Sequence, residues 1–425
     1  MPFTLYDEVS EYTTLARAWQ SVHRSGMRSQ SERTRSAIKS FEADLDTRLK
    51  RISSELKNRE FNFGTARAAP IKRKGKAPRP LLVPEIPARL VQRALLEVLQ
   101  RQESIAAYVD HPCSYGGLPG KKRADVILHA CRAIANGASY VIRSDIPGFF
   151  TRILRLDVLD RIRTLLPDDS LEELIDSATS LEIGNVEQIQ AFLHLFPEDD
   201  VGVAQGCCLS PLFGNIYLRG FDDALNSGSA ITLRYIDDFL ILGKDRESAM
   251  DCFREARKIL RTLNLDAYHP ADQSGKASER RVKRGFEFLG CHIAPGSVEP
   301  SSTARAAFLE RVAGELRTVA HVLQTGLPNP DEDQRHSLTG VLSRVSRMVR
   351  GWSEQYRFCN QSDAFKSVDL KIDRMVTKFL KTFFKQYKRA RSDPARRRRL
   401  LGIWMTLHTS RDPILPLSAH DEKPS

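Results

Sequence analysis

No stretch of about 18 apolar residues occurs in this 425-residue chain, so no part of it is expected to cross a membrane as a helix. The opening Met1-Pro2-Phe3 lacks the basic region followed by an apolar one that marks a secretory leader, and a cytoplasmic location is expected. The seven cysteines, at 113, 131, 207, 208, 252, 291 and 359, contain no Cys-x-x-Cys pair, and no His-Glu-x-x-His segment is present, which removes the usual zinc signatures. Their odd number leaves at least one thiol outside any intramolecular disulfide scheme and suits a reducing compartment. A P-loop is missing too. Around Gly116-Gly117-Leu118-Pro119-Gly120-Lys121, Tyr115 stands where the first glycine of that motif belongs and Lys122 where Ser or Thr belongs. Repeats and low-complexity domains are absent.

What is present is a globular composition, 41% hydrophobic and 28% charged, with a formal charge of +12. That excess favours a polyanionic partner, because Lys and Arg neutralising phosphates supply most sequence-independent affinity for nucleic acid. Residues 1–60 read as basic amphipathic helices, with Phe41, Leu45, Leu49, Ile52 and Leu56 at steps of three or four. Residues 61–90 read as loop-like, crowded by Pro70, Pro78, Pro80, Pro84 and Pro87 and by Lys72, Arg73, Lys74, Lys76 and Arg79. A helix over Arg89–Arg101 follows, then an apolar strand running into Asp145, a helical stretch over 153–193 and a helix from Pro211. A hairpin is expected over 231–243, one strand from Phe286 to Ile293, helices from 303 onward, and a basic tail marked by Arg396 to Arg399.

The hairpin is chemically odd. Ile231-Thr232-Leu233-Arg234-Tyr235-Ile236 and Phe239-Leu240-Ile241-Leu242 are β-prone runs separated only by Asp237-Asp238, which reads as a two-residue turn. Such turns favour Asn-Gly or Asp-Gly; two adjacent carboxylates repel each other and gain nothing there. A broken local rule inside a well-formed element points to function, and divalent cations would remove the repulsion. Two-metal phosphoryl transfer needs carboxylates from more than one strand, and Asp145 after Tyr140-Val141-Ile142 is a second source. Taken singly, Asp237-Asp238 also reads as a solvated turn and Asp145 as a helix cap.

Longer motifs join these positions. Tyr235-Ile236-Asp237-Asp238 resembles the YxDD box of reverse transcriptases, and Asp145-Ile146-Pro147-Gly148-Phe149-Phe150 resembles their first catalytic motif. Ala204-Gln205-Gly206-Cys207-Cys208-Leu209-Ser210-Pro211-Leu212-Phe213-Gly214-Asn215-Ile216-Tyr217-Leu218 is similar to the segment between them, and Phe286-Glu287-Phe288-Leu289-Gly290 to the strand that follows. Arg79-Pro80-Leu81-Leu82-Val83-Pro84 with Arg89-Leu90-Val91-Gln92-Arg93-Ala94-Leu95 resembles the fingers motif of the bacterial branch related to group II introns, retrons and defence-associated enzymes.

The resemblance implies an α+β right-hand polymerase: an N-terminal helical extension (1–60), fingers (61–135), an antiparallel-sheet palm with a helical insertion (136–298), a helical thumb (299–390) and a basic tail (391–425). It implies RNA-directed DNA synthesis with two Mg2+ ions, Mn2+ being the alternative. Asp145, Asp237 and Asp238 would be the catalytic carboxylates, and Ile146 would join them at the metal site. Lys72, Arg79, Phe149, Phe150, Gln205 and Gly206 would face the nucleotide, with Phe150 as the ring that excludes a 2′ hydroxyl and one of the two rings serving only as core. Lys276 would be the general acid. Tyr235, Ile236, Leu289, Gly290, Lys371 and Lys378 would meet primer and template.

Val368, Ile372, Met375, Val376, Phe379, Leu380 and Phe383 trace one apolar helical face, with Lys371, Lys378, Lys381 and Lys385 largely outside it. With Val349-Arg350-Gly351-Trp352 before it, this segment resembles the thumb of group II intron enzymes. The expected partners are an RNA template, a DNA or RNA primer, deoxynucleoside triphosphates, and a non-coding RNA or accessory protein, with no membrane. About 35 residues follow the thumb, too few for a nuclease domain, and no Val-Thr-Gly box occurs; a free-standing enzyme of antiviral defence is therefore expected. The other readings are a maturase-like RNA-binding protein with a vestigial site and an RNA-making polymerase on the same palm.

Overall fold

The computed structural model describes residues 3–29, 31–73, 76–196, 200–272, 275–325 and 335–403. The chain divides into two compact units, residues 1–284 and 285–425.

The first unit begins with four helices, Leu5–Ser10, Tyr12–Met27, Glu32–Glu42 and Leu45–Lys57. Thr4 and Asp7 close a capping box at the start, satisfying helix N–H groups that have no partner within the helix. The apolar faces read from the sequence turn inward: Leu15, Ala18, Trp19, Phe41, Leu49, Ile52 and Leu56 are buried, and the Tyr12–Met27 helix packs along the Ile86–Arg101 helix.

Residues 61–90 differ from the loop-like expectation. Strand β1 (Ala66–Arg73) pairs antiparallel with β2 (Lys76–Pro84), and Pro70 lies opposite Pro80. Proline is excluded from central strands because it cannot donate to the ladder, but both strands of a two-stranded ribbon are edges, so the missing N–H groups can face outward. The ribbon is strapped down at both strands. Ala66 N–H donates to the Glu182 carbonyl at 2.7 Å, and Leu82 N–H to the Gln205 carbonyl at 3.0 Å.

The centre of the unit is a five-stranded sheet in the order β3-β5-β6-β4-β7, built from β3 (Ser114–Tyr115), β4 (Tyr140–Asp145), β5 (Ile231–Tyr235), β6 (Asp238–Gly243) and β7 (Ser278–Arg281). Only β3 and β5 run parallel. Phe239, Leu240, Ile241 and Leu242 are all buried, so β6 is covered on both faces. On one side Phe239 stands between Phe221 and Phe253, at ring-centroid distances of 5.6 and 6.5 Å. The helix Arg246–Thr262 lies so close that a Cβ on Gly243 would come within 2.8 Å of the Ala249 backbone nitrogen.

The second unit opens with a three-stranded antiparallel sheet, β8 (Phe286–Phe288), β9 (Cys291–Ala294) and β10 (Ser297–Pro300). The single strand expected over Phe286–Ile293 is thus a hairpin. Leu289 and Gly290 turn it with φ of 47° and 75°, the pair of positive values that a tight hairpin turn requires. Helices Ser302–Thr325, Leu338–Gln355, Ser362–Arg389 and Pro394–Leu401 follow. Trp352 stacks on Phe308 at 4.6 Å with the rings nearly parallel. On the Ser362–Arg389 helix Val368, Ile372, Phe379 and Phe383 are buried, while Lys371, Lys378, Lys381 and Lys385 are exposed, as the periodicity requires. Of the basic tail, Arg396–Arg399 are helical and residues 404–425 lie outside the described residues.

The α+β class therefore holds: an antiparallel sheet backed by helices in one unit, and a small sheet followed by helices in the other. No helix among the described residues is long and apolar enough to cross a membrane. Because Trp352 is the buried hub of its unit, Trp352→Ala should cost about 3–5 kcal/mol, read as an earlier urea unfolding transition by circular dichroism.

Candidate active site

The register of the central hairpin corrects the expected turn by one residue. Tyr235 pairs with Asp238, so the two turn residues are Ile236 and Asp237, and Asp238 is the first residue of β6. Asp238 stays in the ladder because its other neighbour is Asp145, the last residue of β4. One carboxylate thus comes from a turn and two from adjacent strand ends. The exit of β4 is tied to the turn, since Ile146 N–H donates to the Asp237 carbonyl at 3.1 Å, and on its other side Tyr268 N–H donates to the Asp145 carbonyl at 3.2 Å.

The turn itself is strained. Ile236 has φ of 62°, a left-handed conformation in which a β-branched residue is an outlier costing about 1–3 kcal/mol. What holds it is crowding and hydrogen bonding. Ile236 N–H donates to the Tyr115 carbonyl at 3.2 Å, and a Cβ on Gly116, itself at φ 81°, would lie 2.8 Å from Ile236 Cγ1. Asn215 Nδ2 donates to the Gly116 carbonyl at 3.1 Å, which fixes the glycine in turn.

The electrostatics follow from the crowding of like charges. Burial, then the charge of Asp145, raises the Asp237 carboxyl above its ordinary value. Burial, then Asp145 and Asp237, pushes Asp238 up to about 6. Lys276 donates to Asp145 Oδ2. Burial would lower the ammonium, but the hydrogen bond and charge of Asp145 outweigh it and the net shift is upward. Among the described residues no group of three or more His, Cys, Asp or Glu is gathered closely enough to hold a metal ion. The donor chemistry nonetheless fits a divalent cation: three neighbouring carboxylates are hard oxygen donors whose mutual repulsion such an ion relieves.

A cleft of about 1460 Å³ surrounds these acids and gathers most of the expected residues of the first unit: Arg79, Asp145, Ile146, Phe149, Phe150, Gln205, Gly206, Ile236, Asp237, Asp238 and Lys276. The two phenylalanines divide their tasks. Phe149 is buried against Gly214, where a Cβ would come within 2.7 Å of its ring, whereas Phe150 is half-buried and lines the cleft. Gly206, at φ 107°, passes so near β2 that a Cβ would stand 3.1 Å from the Leu82 carbonyl oxygen. Arg79 is exposed at the rim, and its charge lowers Asp237 against the larger upward effects. Lys72 is carried on β1, but its side chain lies outside the described residues. Tyr235 ends β5 beside the cleft residues. Leu289, Gly290, Lys371 and Lys378 belong to the second unit, the first two as a hairpin turn and the lysines on an exposed helix face.

Sequence reading missed Gly116, Tyr268 and above all Arg234. The last carried a legible signal, the one charged side chain inside an otherwise uncharged β-run, Ile231 to Ile236. It is completely buried, and its partner Asp222 lies on the Arg219–Leu225 helix.

Bringing acids from neighbouring strand ends to one edge of a helix-backed antiparallel sheet suits nucleotidyl transfer, and the fold and site together define a template-directed nucleic-acid polymerase. The chain belongs to the reverse transcriptase family: residues 71–293, more than half its length, match the family model described as reverse transcriptase (RNA-dependent DNA polymerase). It is an RNA-directed DNA polymerase by class. Residues 330–400 match a second model, the group II intron maturase-specific domain. The chain is similar to Protein YkfC of Escherichia coli K12, 25% identical over 72% of this chain and 82% of that one. It is also similar to the group II intron-encoded protein LtrA of Lactococcus lactis, 29% identical over 42% of this chain and 28% of that protein's length. Telomerase from Candida albicans overlays 78% of this chain and 59% of its own at 13% identity and a TM-score of 0.41, too loose a match to speak to function.

Adding a methyl at Gly116 should displace the turn it supports. Gly116→Ala is expected to slow nucleotide incorporation at least tenfold while lowering stability by about 1–3 kcal/mol; primer extension alongside chemical denaturation measures both.

Proposed function

We propose that the cleft carries out RNA-templated DNA synthesis by two-metal nucleotidyl transfer, with Asp145 and Asp237 as direct ligands, Asp238 completing the set and the carbonyl of Ile146 beside them. The observation that carries this reading is geometric: the strand register sets Asp238 beside Asp145 and puts Asp237 in the adjoining turn, all three lining one open cleft with Arg79, Phe150 and Lys276. A pair of magnesium ions bound there, or manganese in their place, would supply activation of the primer 3′ hydroxyl and neutralise charge on the leaving pyrophosphate.

The chain's own groups do the rest. Arg79, with Lys72, binds the triphosphate, Arg through paired hydrogen bonds to phosphate oxygens. Phe150 walls the sugar and excludes a 2′ hydroxyl, while Phe149 serves as the core ring beneath it. Gln205 and Gly206 line the side of the nascent pair, the glycine allowing close backbone approach. Lys276, held beside Asp145, is the proton donor to the leaving pyrophosphate. Tyr235 and Ile236 meet the primer end, and Leu289, Gly290, Lys371 and Lys378 grip primer and template, the lysines through phosphates. The functional divisions are fingers over 61–135, palm over 136–298 and thumb over 299–390; the compact units part at 284/285, inside the palm so defined.

In the cell we propose a cytoplasmic enzyme of antiviral defence, copying an RNA template with an accessory RNA or protein. A second reading has a specific observation behind it: the match of 330–400 to the maturase-specific model supports binding of structured intron RNA by the same chain. The two readings separate in one assay.

Extension of a primed RNA template with deoxynucleotides should occur with the intact chain and fall by at least a thousandfold in Asp237→Ala. Synthesis unaffected by that change would remove the proposed site, and tight RNA binding without synthesis would favour the maturase reading. In Phe150→Val the ratio of ribonucleotide to deoxynucleotide incorporation, from competing kcat/KM values, should rise at least tenfold.

A further inference from the structure

The side chain of Arg234 is fully buried, and all five of its N–H donors are used. Nε donates to Asp222 Oδ1 at 2.7 Å and Nη2 to Asp222 Oδ2, the paired fork that only a guanidinium makes. The second Nη2 hydrogen goes to Ser114 Oγ at 2.6 Å. Nη1 divides its two hydrogens between Asn215 Oδ1 at 3.1 Å and the carbonyl of Ile236 at 3.0 Å. That carbonyl belongs to the strained residue of the turn, two residues further along the chain and just past the end of β5.

A buried ion pair is weak ground for stability, because desolvating both charges offsets most of their attraction and a well-packed apolar pair often does as well. An apolar pair could not reach the Ile236 carbonyl, however, nor could it set Asn215, whose amide nitrogen in turn holds Gly116 against Ile236. The network therefore reaches the turn by two routes, directly through the carbonyl and indirectly through Asn215 and Gly116. Both end at the residue that precedes Asp237.

We infer that Arg234 is a positioning residue for nucleotidyl transfer: clamped by Asp222, its guanidinium holds the left-handed Ile236 turn in the conformation that presents Asp237 and Asp238 to the cleft. This rests on the polymerase reading of those carboxylates. Lysine keeps the charge but offers one nitrogen in place of a planar fork, so it cannot hold Asp222 and the turn carbonyl together. Glycine at 236 would adopt the positive φ without a clamp.

The test compares the full chain with Arg234→Lys, Ile236→Gly and the double variant. Single-nucleotide incorporation on a primed RNA template with magnesium, primer–template Kd, thermal melting and amide exchange of the 231–243 peptide are all followed. Arg234→Lys should lower kcat at least tenfold with Kd changed less than twofold, and exchange at 235–238 should quicken. The double variant should recover at least a third of the lost kcat. Unchanged kcat and exchange in Arg234→Lys, or a double variant no faster than Arg234→Lys, would overturn the inference.

If Arg234→Lys does not fold, Ser114→Ala takes its place, since it leaves the ion pair and removes one bond. A fall in kcat of about threefold with faster exchange at the tip is then expected, and no change in either would overturn the clamp. An intact chain that extends no primer would count against the polymerase reading alone, because amide exchange at the tip still decides whether Arg234 holds the turn.

Discussion

Three carboxylates held close together in a half-buried cleft repel one another, and much of the first unit is arranged around that repulsion. Asp145 and Asp238 are forced into register by the β4–β6 ladder, and Asp237 is added by the turn. Left to itself such a cluster would open or take up protons; burial first, and the neighbouring carboxylate charge second, both push Asp237 and Asp238 upward. The structure opposes the first with an ammonium on Asp145, a backbone bond from Ile146 to the turn, and a buried guanidinium behind it. The strained φ of Ile236 belongs to the same arrangement: strain of this kind persists only where surrounding contacts overdetermine it.

The sequence made the carboxylates and their strands legible because both signals are local. A β-prone run interrupted by two acids breaks a turn rule within a few residues, and Asp145 ends an apolar strand in plain view. The register was not legible. Asp237-Asp238 and Ile236-Asp237 are both two-residue turns on paper, and what chooses between them is the pairing of Asp238 with Asp145, more than ninety positions away in the chain. Phe149 and Phe150 could be separated only by burial, because the space under Phe149 is made by Gly214 of a distant helix.

Elsewhere, local rules give way to where the edges of the sheets fall. The proline-rich stretch after residue 61 reads as loop because proline is barred from sheets, yet a two-stranded ribbon has no interior strand for the rule to protect. The run from Phe286 to Ile293 reads as one strand because Leu289 hides the turn: leucine at positive φ has no sequence signal, although the glycine after it does. The long amphipathic helix of the second unit was readable in detail because a 3.6-residue period carried over some four turns, from Val368 to Phe383, leaves little freedom in which face is buried.

The near-contact of Gly116 with Ile236 also constrains how such a chain can change over generations. The two positions share one volume, so a branched side chain at 236 is compatible only with a bare backbone at 116, and any enlargement at one must be met by a reduction at the other. Drift at the residue beside the carboxylates is thereby tied to a loop more than a hundred positions earlier. Among related chains these two sites should vary together, as a pair under one steric limit.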